Sequence, residues 1–577
     1  MKPLEKQWSM KPVPSAESVL GFQNAINASG PLATLLMQRE IRDFESARLF
    51  FNPKLERLHP PFLMKDMQVA VDRITKAINT DEHILVYGDY DVDGTTAVSL
   101  LYSFLLEHYP NVSYYIPDRY GEGYGVSLKG IDFAEDNDVS LMIALDCGIK
   151  AVDQVDYAAG KNIDFIICDH HLPGKSIPKA VAILNPLQSD CTYPDKYLSG
   201  CGIGFKLAQA LTQAWDLDKH EPYKYLDLVA IAAACDIVPL IGENRVLCHF
   251  GIQLIEEAMR PGLKLLLENA GRLVDGRLKK DLTIGDIVFA IGPRINAAGR
   301  MEHGQLAVEL ITSTTTKAAE IPASRVNENN TTRREVDKQM LEQALAMVQE
   351  LNENTVSTVL FDPNWHKGVV GIVASRVQDV RYRPTIILTE AEGMATGSAR
   401  SVEGFDVHAA IESCADLLDT YGGHRAAAGL TMKLENLEEF RDRFEAAVDA
   451  VIDPSQLIPS IPIDLELKLH QINMRFYNSM NRMAPFGPEN MRPVFVSHNL
   501  KDTKRSKKVG DGSHLKLEVC QSGVEAQLIR GIAFGLGHML DEIEDREFSA
   551  VYTLEINEFN GVKSLELMVR DIKVSAS

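Results

Sequence analysis

The sequence predicts an α/β protein with a parallel sheet, a long connecting helix, a second α/β unit and a C-terminal β-barrel or sandwich. Three observations carry this prediction. From His83 to Leu184, short and nearly continuous apolar runs are separated by helix-length segments, as expected of strands buried on both faces. Aspartate-rich clusters follow several of those runs directly. Past Pro454, Pro459 and Pro462 the apolar pattern switches to period two.

The first 80 residues read as helices, with apolar residues at helical spacing in Pro31–Leu36 and Met67–Ile74. Strands are expected at His83–Tyr87, Val112–Ile116, Leu141–Leu145, Asp164–Cys168 and Ala180–Leu184, then an alanine-rich helix over Leu228–Cys235. Residues Thr315–Leu351 are charged and helical in pattern, which predicts an exposed connecting helix. A second α/β pattern starts at Val356–Phe361 and continues through Pro384–Leu388 to about Ile452. Alternation at Leu465, Leu467 and Leu469, at Leu515, Leu517 and Val519, and at Leu565, Leu567 and Val569 marks the β unit. The expected divisions are 1–80, 81–314, 315–352, 353–453 and 454–577.

Charge narrows the function. With 59 Lys+Arg against 80 Asp+Glu the net charge is −21, which excludes a protein that coats nucleic acid through a basic surface. Residues 451–577 carry 15 basic and 17 acidic groups, so a net of −19 falls on the first 450. The eight cysteines form no CxxC pair, which argues against structural zinc or a disulfide scaffold and for a reduced, cytoplasmic setting. Met1–Lys11 is charged and lacks an apolar leader, and no apolar run is long enough to span a membrane.

Four clusters carry the chemistry. Gly88-Asp89-Tyr90-Asp91-Val92-Asp93-Gly94 follows the first strand, Asp146-Cys147-Gly148 another, and Asp169-His170-His171 a third; Asp236 follows the alanine-rich helix. In an open parallel sheet the carboxyl edge is where loops converge on ligands. Six carboxylates and two imidazoles brought together would repel strongly unless cations compensated them. Carboxylate and imidazole ligands suit Mn²⁺ or Mg²⁺. Their number suggests two ions, which about 3.5–4 Å apart can activate a water and stabilise a leaving phosphoester oxygen. Cys147, Cys168 and Cys235 are read as packing beneath the ligands rather than as ligands.

These clusters resemble motifs I to IV of the DHH phosphoesterase superfamily. The likeness, strongest to its single-stranded-DNA exonucleases, runs over nearly the whole chain. It takes in Gly292-Pro-Arg-Ile-Asn-Ala-Ala-Gly-Arg300, Trp365–Ser375, Gly397–Ser401, Gly422–Gly429 and Ala484-Pro-Phe-Gly-Pro-Glu-Asn490. The resemblance implies a DHH catalytic domain, a DHH-associated domain and an OB-fold, in that order. It implies that Asp91 and Asp93 each ligate one metal, that Asp146 bridges, and that His170 and Asp236 complete one site. His171 would stand nearer the scissile phosphate, and Asp169 would orient the loop. Relatives in the superfamily have a histidine four residues before the first of the paired carboxylates. Tyr87 stands there, so Asp89 either substitutes as a ligand or leaves the first site less filled.

The implied activity is metal-dependent 5′-to-3′ hydrolysis of single-stranded DNA to mononucleotides, in repair and recombination. Expected partners are single-stranded DNA, a single-strand-binding protein and a helicase, with the chain itself a monomer away from membranes. The alternatives are another DHH phosphoesterase acting on small nucleotides or oligoribonucleotides, or a non-catalytic DNA-binding scaffold. The basic C-terminal hairpin argues against the first, and the intact ligand set against the second.

Four groups of residues are expected to hold the strand. Arg294, Asn296 and Arg300 form a candidate phosphate clamp in a glycine- and proline-bounded segment. Ser398, Arg400 and Ser401, with Gly422, Gly423 and His424, combine hydroxyls, arginine and glycine-exposed amides into an anion nest. In the exonucleases of this superfamily a 5′-phosphate bound there would fix the polarity. Arg119, Tyr120 and Tyr124 lie in a glycine-loosened loop, where a tyrosine could stack on a base or pack under a turn. Lys504, Arg505, Lys507 and Lys508 mark a basic hairpin that could track a single strand.

Overall fold

A strand near the start of the chain, β1 (Gln7–Met10), runs parallel to residues 460–463, pairing Gln7 with Ser460 and Met10 with Ile463. Four residues are too few to show a period, so the sequence pattern predicts helices over this region and no strand. The protein is described by a computed structural model over residues 4–523, 527–559 and 561–574. The extreme ends of the first and last expected divisions lie outside these residues. Two units are distinct. One holds the residues up to Asn52, then Gln339–Ala484 and Met491 onward; the other holds Pro53–Lys338 and Pro485–Asn490. The first 80 residues are therefore divided between the units.

In the second of these units, α1 (Met67–Asn79) precedes β2 (His83–Gly88), α2 (Val92–His108), β3 (Val112–Tyr115), β4 (Val139–Leu145), β5 (Asp164–Cys168) and β6 (Ala182–Leu184). The strands form an all-parallel sheet in the order β3-β2-β4-β5-β6. Ile84, Val86, Ile143 and Ile166 pack with α1 and α2 on one face. Leu85, Met142, Ala144 and Phe165 pack on the other, against helices over Leu128–Asp136 and Val152–Gly160. Both faces are covered, which is why these strands read as unbroken apolar runs. The chain leaves β2 toward one edge and β4 toward the other, so the topological switch falls between their carboxyl ends. Helices α3 (Gly200–Ala214), α4 (Leu226–Cys235), α5 (Gly242–Glu257) and α6 (Gly292–Met301) complete this unit's core. The connecting helix α7 (Thr316–Glu350) is 35 residues long and carries Pro322 near its start.

The other unit has a mixed sheet of β7 (Thr358–Phe361), β8 (Thr385–Ala391), β9 (Met394–Arg400), β10 (Thr420–His424) and β11 (Ala427–Lys433), in the order β10-β11-β9-β8-β7. Helix α8 (Val370–Val380) lies between β7 and β8 in the chain. Its barrel is a seven-stranded sheet running from Leu465–Glu466 at one end to Lys507–Val509 at the other. Additional pairing of Leu500–Asp502 with Val519–Gln521 closes it.

Candidate metal centre

Each functional side chain is held by the end of an element. Asp91 is the N-cap of α2, its Oδ1 accepting the Gly94 N–H at 3.0 Å. Asp93, in the first turn of α2, is fully buried and accepts the N–H groups of Gly200 and Cys201, each at 2.7 Å, at the start of α3. Asp146 follows β4 with φ of 60°, in the left-handed region that a non-glycine residue adopts only under constraint. Its N–H donates to the Cys168 carbonyl at 2.8 Å, extending the ladder to β5. Gly200 has no room for a side chain, since a Cβ there would lie 2.5 Å from Asp146 Cβ. His170 and His171 follow β5, and Asp236 caps the end of α4.

These ends converge on His170 Nε2, which lies 3.2 Å from Asp146 Oδ1, 3.5 Å from Asp236 Oδ2 and 3.8 Å from Asp93 Oδ2. Neither Nε2 of His170 nor Oδ1 of Asp146 has a hydrogen-bond partner, although both are buried. Polar atoms buried this closely without hydrogen bonds form a hole for a cation. Asp93, His170 and Asp236 form one set of ligand atoms within 4.8 Å of one another, and Asp146, His170 and His171 a second. Oxygen and imidazole donors without a thiolate fit Mn²⁺ or Mg²⁺.

The electrostatics agree. Burial, then the Asp91 charge, holds the Asp93 carboxyl up at about 7. Burial and the charges of Asp93 and Asp91 hold Asp236 at about 8. Asp146 is raised well above the carboxylate range by burial and by Asp93, and Asp89 by burial and Asp91. His170 is pushed down to about 4 by burial and by the His171 charge, leaving it the neutral imidazole that a metal requires. Burial would lower His171 as well, but its Nδ1 lies 2.7 Å from Asp169 Oδ1 and that carboxylate carries it up to about 9. Asp169 also accepts the N–H groups of Ile149 and His171.

The structure thus brings together Asp93, Asp146, His170, His171 and Asp236. Asp89 and Asp91 stand beside them and act on their charges, but neither belongs to the two ligand sets. Tyr87 is buried with its hydroxyl donating to the Gly125 carbonyl at 2.8 Å, so that position offers no ligand. Cys147 and Cys168 are buried and Cys235 nearly so; burial pushes all three thiols up, in keeping with a packing role.

Several expected strand-binding groups are placed differently. Arg294 lies in α6; it is buried and donates to the carbonyls of Ala290 at 2.7 Å and Asn269 at 3.3 Å, so it is no open phosphate clamp. Asn296 and Arg300 share that helix and are half-buried, and the Arg300 carbonyl accepts the Tyr120 hydroxyl. The Arg119 guanidinium lies 4.9 Å from the Tyr90 ring centre. Tyr124 is 56% exposed, and its hydroxyl lies 3.3 Å from His171 Nε2, a contact that the sequence did not announce.

The expected nest lies on strands: Ser398 and Arg400 on β9, which is paired on both sides, and Gly422, Gly423 and His424 on β10, an exposed edge strand paired with β11 alone in its sheet. Arg400 still donates to Ser398 Oγ at 2.7 Å and to Ser375 Oγ at 3.2 Å. A Cβ on Gly371, in the first turn of α8, would come within 2.8 Å of its guanidinium. Ser401 Oγ donates to the Phe405 carbonyl at 2.9 Å. In the hairpin, Lys504 pairs with Asp545 at 2.8 Å, Arg505 with Glu518 at 3.4 Å and Lys508 with Asp541 at 2.9 Å, leaving Lys507 the less engaged member.

A parallel α/β sheet whose switch point gathers aspartates and a His-His pair defines a phosphoesterase of the DHH class. The profile of the DHH family N-terminal domain matches residues 83–233, that of the DHHA1 domain 336–450, and that of the RecJ OB domain 463–571. The chain belongs to the RecJ family of single-stranded-DNA-specific exonucleases. It is 36% identical to RecJ of Bacillus subtilis, covering 97% of this chain and 70% of that protein, and 33% identical to RecJ of Salmonella typhimurium, covering 87% and 89%. The crystal structure of Thermus thermophilus RecJ in complex with Mn²⁺ is similar, with a TM-score of 0.84 and 25% identity, covering 99% of this chain and 80% of that one.

Proposed function

We propose that this chain removes mononucleotides from the 5′ end of single-stranded DNA at a centre built by Asp93, Asp146, His170 and Asp236, with Asp91 beside them. The observation that carries the reading is the convergence of three aspartate side chains on an imidazole nitrogen that has no hydrogen-bond partner. Divalent ions such as Mn²⁺ or Mg²⁺, bound there, supply the charge that offsets these carboxylates and stabilises a hydrolytic transition state. His170 offers Nε2 as a ligand atom, and the α3 amides fix both oxygens of Asp93. The His171 imidazolium, its Nδ1 held by Asp169, presents Nε2 toward the centre, where it can donate to an oxygen of the scissile phosphate. Arg400 and Ser398, backed by the start of α8, are the proposed seat of a 5′-phosphate.

Tyr124 is assigned to the rim of the centre, and Lys507 with its ion-paired neighbours to the strand's outer path. An exonuclease restricted to single strands needs a helicase to supply them, and a single-strand-binding protein to keep them open. All eight cysteines are free, which suits a reducing cytoplasm; no helix among the described residues is long and apolar enough to cross a membrane.

End-labelled single-stranded and duplex DNA with Mn²⁺, comparing the native chain with Asp146→Ala, tests the reading. Loss of mononucleotide release from 5′ ends in the variant is the expected result. Undiminished cleavage by the variant overturns the metal assignment, and digestion from 3′ ends overturns the polarity.

A further inference from the structure

Residues Pro485–Asn490 belong to the unit that holds the metal centre, while the chain on either side of them belongs to the other unit. They form a closed turn. Gly487 and Asn490 exchange backbone hydrogen bonds at 3.1 and 2.9 Å, and Asn490 Nδ2 donates to the Pro485 carbonyl at 2.9 Å. Gly487 and Asn490 are both buried.

This turn sits on the loop that follows Asp236. The Leu240 N–H donates to the Pro488 carbonyl at 2.8 Å, and Arg245 Nη1 reaches the Pro485 carbonyl at 3.4 Å. Leu240 is fully buried, and a Cβ on Gly487 would stand 2.5 Å from its Cδ1 and 2.8 Å from its Cγ. Between Asp236 and Leu240 the chain bends at Ile237, which has φ of 60° and is 67% exposed. A β-branched residue holds the left-handed conformation only where its surroundings impose it, and exposed Ile237 has little packing of its own to do so. Asp93 is aimed by two amides of α3, but no hydrogen bond among the described residues holds the Asp236 carboxylate. Its direction is set by the backbone on either side of it. On one side is the end of α4, and on the other a loop pinned at Leu240.

We infer that the Pro485–Asn490 turn is a positioning element of the metal centre, holding Leu240 so that the Ile237 bend presents the Asp236 carboxylate to the ion. This rests on the reading of Asp236 as a metal ligand. Partners one step behind the ligands commonly govern metal affinity about 10–100-fold. Here that partner is a backbone carbonyl delivered from roughly 250 residues further along the chain.

The test uses the full chain and Mn²⁺ titrated calorimetrically without DNA, for Gly487→Ala, Asn490→Ala and Asp236→Asn. Gly487→Ala forces Leu240 aside and should weaken Mn²⁺ binding about tenfold, with single-stranded-DNA binding in EDTA unchanged and hydrolysis recovering at saturating Mn²⁺. Asn490→Ala, which adds no atoms, should move the Mn²⁺ affinity in the same direction by less, and it decides the matter if Gly487→Ala does not fold. Native Mn²⁺ affinity in the folded turn variants, with Asp236→Asn impaired, overturns the inference alone. Native affinity in Asp236→Asn overturns the ligand assignment beneath it.

Discussion

Replacing Asp236 by Asn should make the metal-free protein more stable while ending its activity. Without a cation, burial and the charges of Asp93 and Asp91 hold the Asp236 carboxyl at about 8, against an ordinary value of 3.8. Below the ordinary value both folded and unfolded chains keep the proton, and the site costs nothing. Above it the unfolded chain releases the proton and the folded one does not, so folding loses ~1.4 kcal/mol per pH unit until the folded carboxyl also ionises near pH 8. Near pH 6 the loss is about 3 kcal/mol by that count. The side chain is 30% exposed, and solvent screening reduces the expected gain from Asn to about 1–2 kcal/mol. That corresponds to a rise in the melting temperature of this unit of roughly 1–3 °C.

The assay is calorimetric melting in EDTA near pH 4.5, 6 and 7.5, repeated with Mn²⁺. The advantage of Asn should be smallest near pH 4.5, about a third of its size at pH 6, and grow with pH, and added Mn²⁺ should stabilise the native chain more than the variant. Equal melting in EDTA near pH 7.5, or a gain independent of pH, would refute the claim that repulsion among buried carboxylates destabilises the empty centre.

Three other outcomes are expected. Arg294→Ala should lower stability by about 1–2 kcal/mol by taking a donor from the buried Ala290 carbonyl and from the more exposed Asn269 carbonyl, without weakening single-stranded-DNA binding; weaker binding at unchanged melting would restore the clamp. Hydrolysis should decline at alkaline pH as His171 loses the proton that Asp169 helps it keep, and Asp169→Asn should shift that decline to lower pH in a pH–rate profile. Asp541→Asn together with Asp545→Asn frees Lys508 and Lys504 and should tighten single-stranded-DNA binding, steepening its salt dependence by up to ~0.7 per phosphate newly contacted; an unchanged slope would place the strand elsewhere.

The legible parts of the sequence were those where one physical requirement acts on consecutive residues. Strands β2, β4 and β5 had to be apolar on both faces, and the aspartates had to follow them at the sheet's carboxyl edge, so both features survive in the linear order. The segment bounded by Gly292 and Pro293 was legible as a helix start, since proline at the first turn is a start signal; the burial of Arg294 within it was not legible, because it depends on Ala290 and on Asn269 further back in the chain. Gly397 suggested an exposed amide, yet it serves close strand approach, since a Cβ there would lie 2.0 Å from the Ile387 carbonyl oxygen; a Cβ on Gly422 would meet nothing within 4 Å. The partners of the basic hairpin, Asp541 and Asp545, and the hold of Pro488 on Leu240 depend on residues far apart in the chain. No local pattern records such pairings.

The pairing of β1 with residues 460–463, together with the bond from Trp8 Nε1 to Asp571 at 2.7 Å, sets an order of events during synthesis. Residues 7–10 acquire these neighbours only after some 450 more have been added, about 20–90 s later at ordinary elongation rates. Throughout that interval Trp8 and the β1 edge lack these partners, while the residues of the parallel sheet, contiguous from His83 to Leu184, can already assemble. Strand β1 is therefore completed later than the parallel sheet, and a chaperone that shields the emerging chain would find a long-lived target there.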